Sequence, residues 1–142
     1  MGKGWRVLPA CPSTVDRVSA CFPFPQSSCM AHQQHQSCIE ACVRCAQECH
    51  HCADACPGES EVAKLAECIR LDRDCARICW EASAFMSSGS RFAAAVCRLC
   101  AEICEACGDE CRKHQHMEHC KRCADACHRC AEECRKMAGA KA

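Results

Sequence analysis

The chain contains no tyrosine, and only two tryptophans and four phenylalanines occur in its 142 residues. A core built on aromatic packing is therefore excluded. Leu, Ile, Val and Phe together supply 18 side chains, well short of the interior that a domain of this length ordinarily needs. β-Branched residues are scarce, which opposes strands. No apolar run approaches the roughly 20 residues of a membrane span. Lys3 and Arg6 are followed by no continuous apolar stretch, so the first thirty residues do not read as a secretory signal, and the cytoplasm is the expected location. Eighteen basic residues balance eighteen acidic ones, which gives no electrostatic reason to expect nucleic acid or an acidic membrane as a partner. Nothing arranges a nucleophile, a base and an orienting group, or a phosphate-binding loop, so no enzymatic activity is expected.

What fills the gap is cysteine, 22 residues of it. In a reducing compartment clustered thiols indicate metal more often than disulfides. Cys38, Cys42, Cys45, Cys49, Cys52 and Cys56 follow one another in steps of four, three, four, three and four; Cys97, Cys100, Cys104, Cys107 and Cys111, and again Cys120, Cys123, Cys127, Cys130 and Cys134, run three, four, three, four. This is the apolar seam of a helix with thiols where leucines normally lie. Neutral thiols behave as small hydrophobes, so they can also serve as the core.

The expected fold is all-α, an antiparallel up-down-up-down four-helix bundle with a cysteine-lined core. Residues 1–31 form a proline-containing extension, 32–137 the bundle and 138–142 a flexible tail. The first helix is predicted over about 33–55, stopped by Pro57-Gly58. The second runs from a cap at Ser60 to Phe85 or Met86, the third from Ser90 to Lys113, and the fourth from His116 to Met137. The second helix keeps the rhythm with fewer thiols: its seam reads Leu65, Cys68, Asp72, Cys75, Cys79, Ala82, Met86. Asp72 falls on the thiol-facing line, and a carboxylate there is expected to reach solvent or a basic neighbour at the seam edge. Trp80 is expected on the flank, Phe85 and Phe92 at the middle turn, and His50, His51 and His128 off the thiol face.

Thiolates three and four residues apart share one helical face, with Cβ atoms roughly 5–6 Å apart. A linear S–metal–S unit with bonds of about 2.3 Å spans roughly 4.6 Å, which a four-residue step can supply. Such side-by-side thiols are poorly placed for a disulfide. Cu(I), soft and content with low coordination, is the best match. Zinc, wanting separate closed tetrahedra, is the main competitor, as a mixed thiophilic-metal buffer. A metallochaperone needs one or two exposed thiols rather than a column, and ranks lower. With sulfurs shared, the load is on the order of 10–20 Cu(I).

At one end of such a bundle lie His35, Met86 and Met137, at the other His114, His116, Met117 and His119; either set can form a handover ring of weaker ligands. Cys11, Cys21 and Cys29 stand outside the repeat.

The Cys-x-x-Cys-Ala-x-x-Cys style of these helices, as in Cys42–Cys49 and Cys127–Cys134, resembles the bacterial copper storage proteins, specifically their cytosolic, cysteine-rich branch, over about residues 32–137. The resemblance implies a thiolate-lined four-helix bundle that stores many Cu(I) ions and limits copper toxicity, and a homo-oligomer, a tetramer in related proteins. Donor or acceptor proteins for copper are possible partners. The metal ligands it implies are the six, five and five cysteines of the three repeats with Cys68, Cys75 and Cys79 of the second helix.

Overall fold

The computed structural model describes residues 33–139. The expectations for the extension, including Cys11, Cys21 and Cys29, and for the last three residues lie outside that range. Four helices follow in order: α1 (Gln36–Ala55), α2 (Ala66–Ser87), α3 (Ala93–Arg112) and α4 (Glu118–Gly139). Each packs against two neighbours, α1 on α2, α2 on α3, α3 on α4 and α4 back on α1. The result is the expected antiparallel square bundle. No helix among the described residues is long and apolar enough to cross a membrane.

The connections explain where prediction and structure differ. Pro57 stops α1, and Cys56–Gly58 closes as a single 3-10 turn. Ser60 does not cap α2. A second 3-10 turn, Val62–Leu65, intervenes, and α2 begins after Leu65 without a side-chain cap. The reason is tertiary: Leu65 is buried, and the 3-10 turn swings it inward before the regular helix begins. Between α2 and α3 the chain reverses through Gly89, whose φ of 63° is the left-handed conformation that favours glycine. Gly89 N donates to Met86 O at 3.1 Å and Ser90 N to Phe85 O at 3.0 Å, the paired bonds of a Schellman ending. Ser90 then turns the chain by accepting the Phe92 amide on its hydroxyl at 3.2 Å, which delays α3 to Ala93. Phe85 packs on the core, but Phe92 is exposed beneath Arg91. α4 starts two residues after His116 and continues two residues past Met137.

The core contains almost nothing but cysteine and alanine, with Leu65 and Met86 the largest apolar side chains fully inside. The same economy lets helices approach closely. A Cβ at Gly108 of α3 would stand 2.3 Å from His128 Nδ1 of α4, so only glycine fits there. His128 bridges the two helices, reaching Ala124 O at 2.9 Å and Asp109 Oδ1 at 3.1 Å. On the far side Glu48 of α1, itself buried, pairs with Arg44 and with Arg122 of α4, both at 2.7 Å. His50 and His51 are exposed, and Trp80, on the flank, donates its indole N–H to His50 Nε2 at 3.3 Å.

Candidate metal-storage core

All nineteen bundle cysteines are free thiols and all are buried. The three-four stepping turns every one of them inward, because that spacing keeps a single face of each helix toward the axis. Within a helix five four-residue pairs place sulfurs 3.8–4.0 Å apart, among them Cys45–Cys49 (3.9 Å), Cys100–Cys104 (3.8 Å) and Cys130–Cys134 (4.0 Å). Contacts between helices are as close: Cys45 to Cys127 at 3.6 Å, Cys75 to Cys104 at 3.5 Å, Cys79 to Cys104 at 3.5 Å and Cys42 to Cys134 at 3.6 Å. A linear unit needs sulfurs about 4.6 Å apart, whereas three sulfurs around one ion lie roughly 4.0 Å from each other. The metal-free spacing is thus nearer to three-coordinate, sulfur-sharing sites than to isolated linear ones.

Four-cysteine groups with sulfurs all within 4.8 Å of one another form across helices: Cys42, Cys100, Cys130 and Cys134; Cys45, Cys75, Cys79 and Cys104; Cys49, Cys107, Cys123 and Cys127. What separates them from structural zinc sites is overlap, since Cys45, Cys49, Cys75 and Cys127 together form a further group. A single structural zinc site takes four ligands of its own, so these overlapping groups cannot all be filled as separate tetrahedra.

Asp72 departs from its expected setting. It is fully buried and meets no basic group among the described residues. Its Oδ1 instead accepts from Cys107 and Cys123, both at 3.2 Å, and from Cys111 at 3.5 Å, while Oδ2 faces Cys68 at 3.8 Å. Burial pushes its carboxyl up to about 9, which favours the protonated acid at neutral pH within this ring of thiols. Burial likewise pushes the Cys56 thiol up to about 11.

The two ends differ. Where α1 starts, His35 and Met137 line a cleft of about 320 Å³ that reaches Cys38, and Met86 is not at the rim but wholly buried behind it. Where α1 finishes, His119 joins the thiols directly. Its Nδ1 lies 3.8 Å from Cys52 and 3.6 Å from Cys120, and with Cys56 these residues form one potential ligand group. Outside it, His114, His116 and Met117 line a cleft of about 170 Å³ together with Glu59 and Leu65. His116 is exposed there, and His114 Nε2 is buried without a hydrogen-bond partner among the described residues. Sequence reasoning overlooked Glu59, whose carboxylate meets His119 from 60 positions away. No local signal marks that pairing.

The family model of the copper storage proteins, Csp, matches residues 31–139. The chain belongs to that family. A Cu(I)-bound copper storage protein, BsCsp3, is 52% identical, with a TM-score of 0.70 over 73% of this chain and 97% of that one. The metal-free copper storage protein 3 of Bacillus subtilis is 51% identical with the same TM-score, over 73% and 98%. The copper storage protein of Streptomyces lividans loaded with 10 copper equivalents is 41% identical, with a TM-score of 0.76 over 84% and 95%. Among curated proteins no match was found. As a copper storage protein this chain holds multiple Cu(I) ions on its cysteine-lined core; its work is storage, not catalysis.

Proposed function

We propose that the bundle sequesters on the order of 10–20 Cu(I) ions per chain in the cytosol, with its nineteen core cysteines as the principal ligands. The observation that carries this reading is the sharing of sulfurs between overlapping cysteine groups, which suits a soft, low-coordinate ion and a distributed store. Each ion displaces thiol protons, so acid weakens loading and the burial that raises Cys56 adds to the proton's hold. Copper is admitted at the end where α1 finishes. There His119 lies against Cys52 and Cys120, and His114, His116 and Met117 form the outer vestibule. At the opposite end His35 and Met137 give a secondary approach to Cys38, while Met86 seals the core.

Anaerobic titration of the reduced protein with Cu(I), against a competing chelator, tests the proposal. Tight uptake of many equivalents with parallel loss of thiol reactivity is expected; saturation at one or two ions would sink it. The four-cysteine groups keep zinc as the competing reading, and a zinc-loaded sample challenged with Cu(I) should release its zinc. The family resemblance further supports a homo-oligomer, specifically a tetramer. Leu71, Ile78 and Ile103 line an apolar groove between α2 and α3, and Leu99 is exposed on α3, so this face is the proposed contact. Light scattering at micromolar concentration should return a mass four times the chain's 15.6 kDa; a monomeric mass would remove the assembly from the reading.

A further inference from the structure

Glu59 occupies an unusual place in the α1–α2 connection. It follows the 3-10 turn Cys56–Gly58, in which Pro57 fixes the chain direction, and its own backbone is extended with φ −82° and ψ 149°. Its amide donates to Cys56 O at 3.1 Å, which ties the residue to the last cysteine of the first repeat. From that anchor the side chain reaches across to α4, where Glu59 Oε1 lies 3.1 Å from His119 Nε2. The carboxylate also lines the outer cleft with His114, His116 and Met117, so it stands between the vestibule and the first thiols. His119 is only 10% exposed, Glu59 38%.

A carboxylate can only accept at that contact, so Nε2 must carry the proton. In neutral imidazole the other nitrogen is then bare, and here it faces Cys52 at 3.8 Å and Cys120 at 3.6 Å. The bare nitrogen is the one able to bind a metal. Carboxylate–imidazole pairs of this kind fix both the tautomer and the ring orientation of metal-binding histidines and raise their basicity. The alternative tautomer would place a hydrogen between the ring and the thiols and block coordination from that side.

We propose that Glu59 is a positioning residue for copper capture: by accepting the Nε2–H of His119 it holds the bare Nδ1 toward Cys52, Cys56 and Cys120, so that the mouth of the store presents one nitrogen and three sulfurs already aimed at an arriving ion. The copper consequence rests on the reading that His119 is a ligand; the tautomer consequence does not.

Two measurements on the full chain separate these parts. In the metal-free, reduced protein, long-range ¹H–¹⁵N spectra of the imidazoles should show His119 as the Nε2–H tautomer. E59A should lose that preference, whereas E59Q, whose amide oxygen still accepts, should keep it. Cu(I) transfer from a chromophoric chelator at substoichiometric copper should then slow roughly 10-fold in E59A, recover in E59Q, and fall no further in E59A/H119A than in H119A alone. An unchanged His119 tautomer in E59A overturns the role of Glu59 outright. Wild-type transfer in H119A overturns the ligand reading, and with it the copper consequence. Thermal unfolding of each variant controls for a loss of fold.

Discussion

Among the described residues the buried donors in the half of the core near the start of α1 are all sulfurs, whereas the half near its end holds a carboxyl group and seats an imidazole against its thiols. In the first, Cys38, Cys42, Cys130 and Cys134 touch one another and pass on through Cys79 to Cys100 and Cys104. In the second, Asp72 sits among Cys68, Cys107, Cys111 and Cys123, and beyond it Cys52, Cys56 and Cys120 meet His119. Three of the helices contribute to both halves with the same cysteine rhythm. The asymmetry therefore comes from α2, which replaces a thiol with Asp72, from the connection before it, which supplies Glu59, and from His119 in the first turn of α4. A repeated pattern builds the store, and departures from the pattern give it a direction.

The strongest way to break this contrast is to remove the carboxyl. Asp72 is held neutral in the fold, its carboxyl pushed up to about 9 from 3.8, while in the unfolded chain it ionises in the ordinary range. Between those values the unfolded state has lost a proton that the folded state retains, so the metal-free protein loses stability as pH rises through that window and none below it. Denaturant unfolding of the metal-free protein should show a decline on the order of a few kcal/mol from about pH 5 to about pH 8. In D72N that slope should largely vanish. A slope unchanged by the substitution would mean that Asp72 is ionised in the fold.

A second comparison sets the two apolar plugs against each other. Met86 and Leu65, at opposite ends, are the largest apolar side chains fully inside among the described residues. M86A and L65A should each cost about 2–5 kcal/mol in the metal-free state through lost burial and the cavity left behind. Copper loading should recover much of that loss, since ligand bound to the folded state stabilises it. Melting temperatures with and without Cu(I) measure both. A cost at one end only would show that the other plug is not part of the packed core.

The smallest effect is on capacity. Cys130 contacts Cys42, Cys79 and Cys134, whereas Cys111 contacts Cys68 and Asp72. Replacing Cys130 with alanine should subtract one or two ions, roughly, and replacing Cys111 fewer, because shared ligation spreads the loss. If either substitution abolished uptake in the anaerobic titration, storage would not be distributed.

The helices and the inward thiols were legible in the sequence because one periodicity encodes both; a three-four step is a statement about a single face. The exceptions are features whose cause lies elsewhere in the fold. Ser60 has the chemistry of a cap, but the burial of Leu65 decides how α2 starts. Asp72 was placed on the correct line, yet its partners are thiols on α2, α3 and α4, which no local rule could name. Glu48 carries no mark of its burial until Arg122, on another helix, closes over it. The overlap of ligand groups, and hence the tetrahedral sets, also depended on how facing helices interleave rather than on spacing along any one of them.

The closeness of neighbouring sulfurs has a consequence for movement as well as for holding. From Cys38 to Cys123, sulfurs in contact lie no more than 4.0 Å apart, through Cys134, Cys42, Cys130, Cys79, Cys104, Cys45, Cys127 and Cys49. An ion anywhere on that path has a fresh donor beside those that grip it. It can migrate by exchanging one bond at a time without ever becoming bare, so the place where copper arrives does not dictate where it comes to rest. Near Asp72 the row of soft donors is interrupted by a hard one. An ion resting there meets one oxygen among the sulfurs of Cys107, Cys111 and Cys123, a harder neighbourhood than that farther along the path.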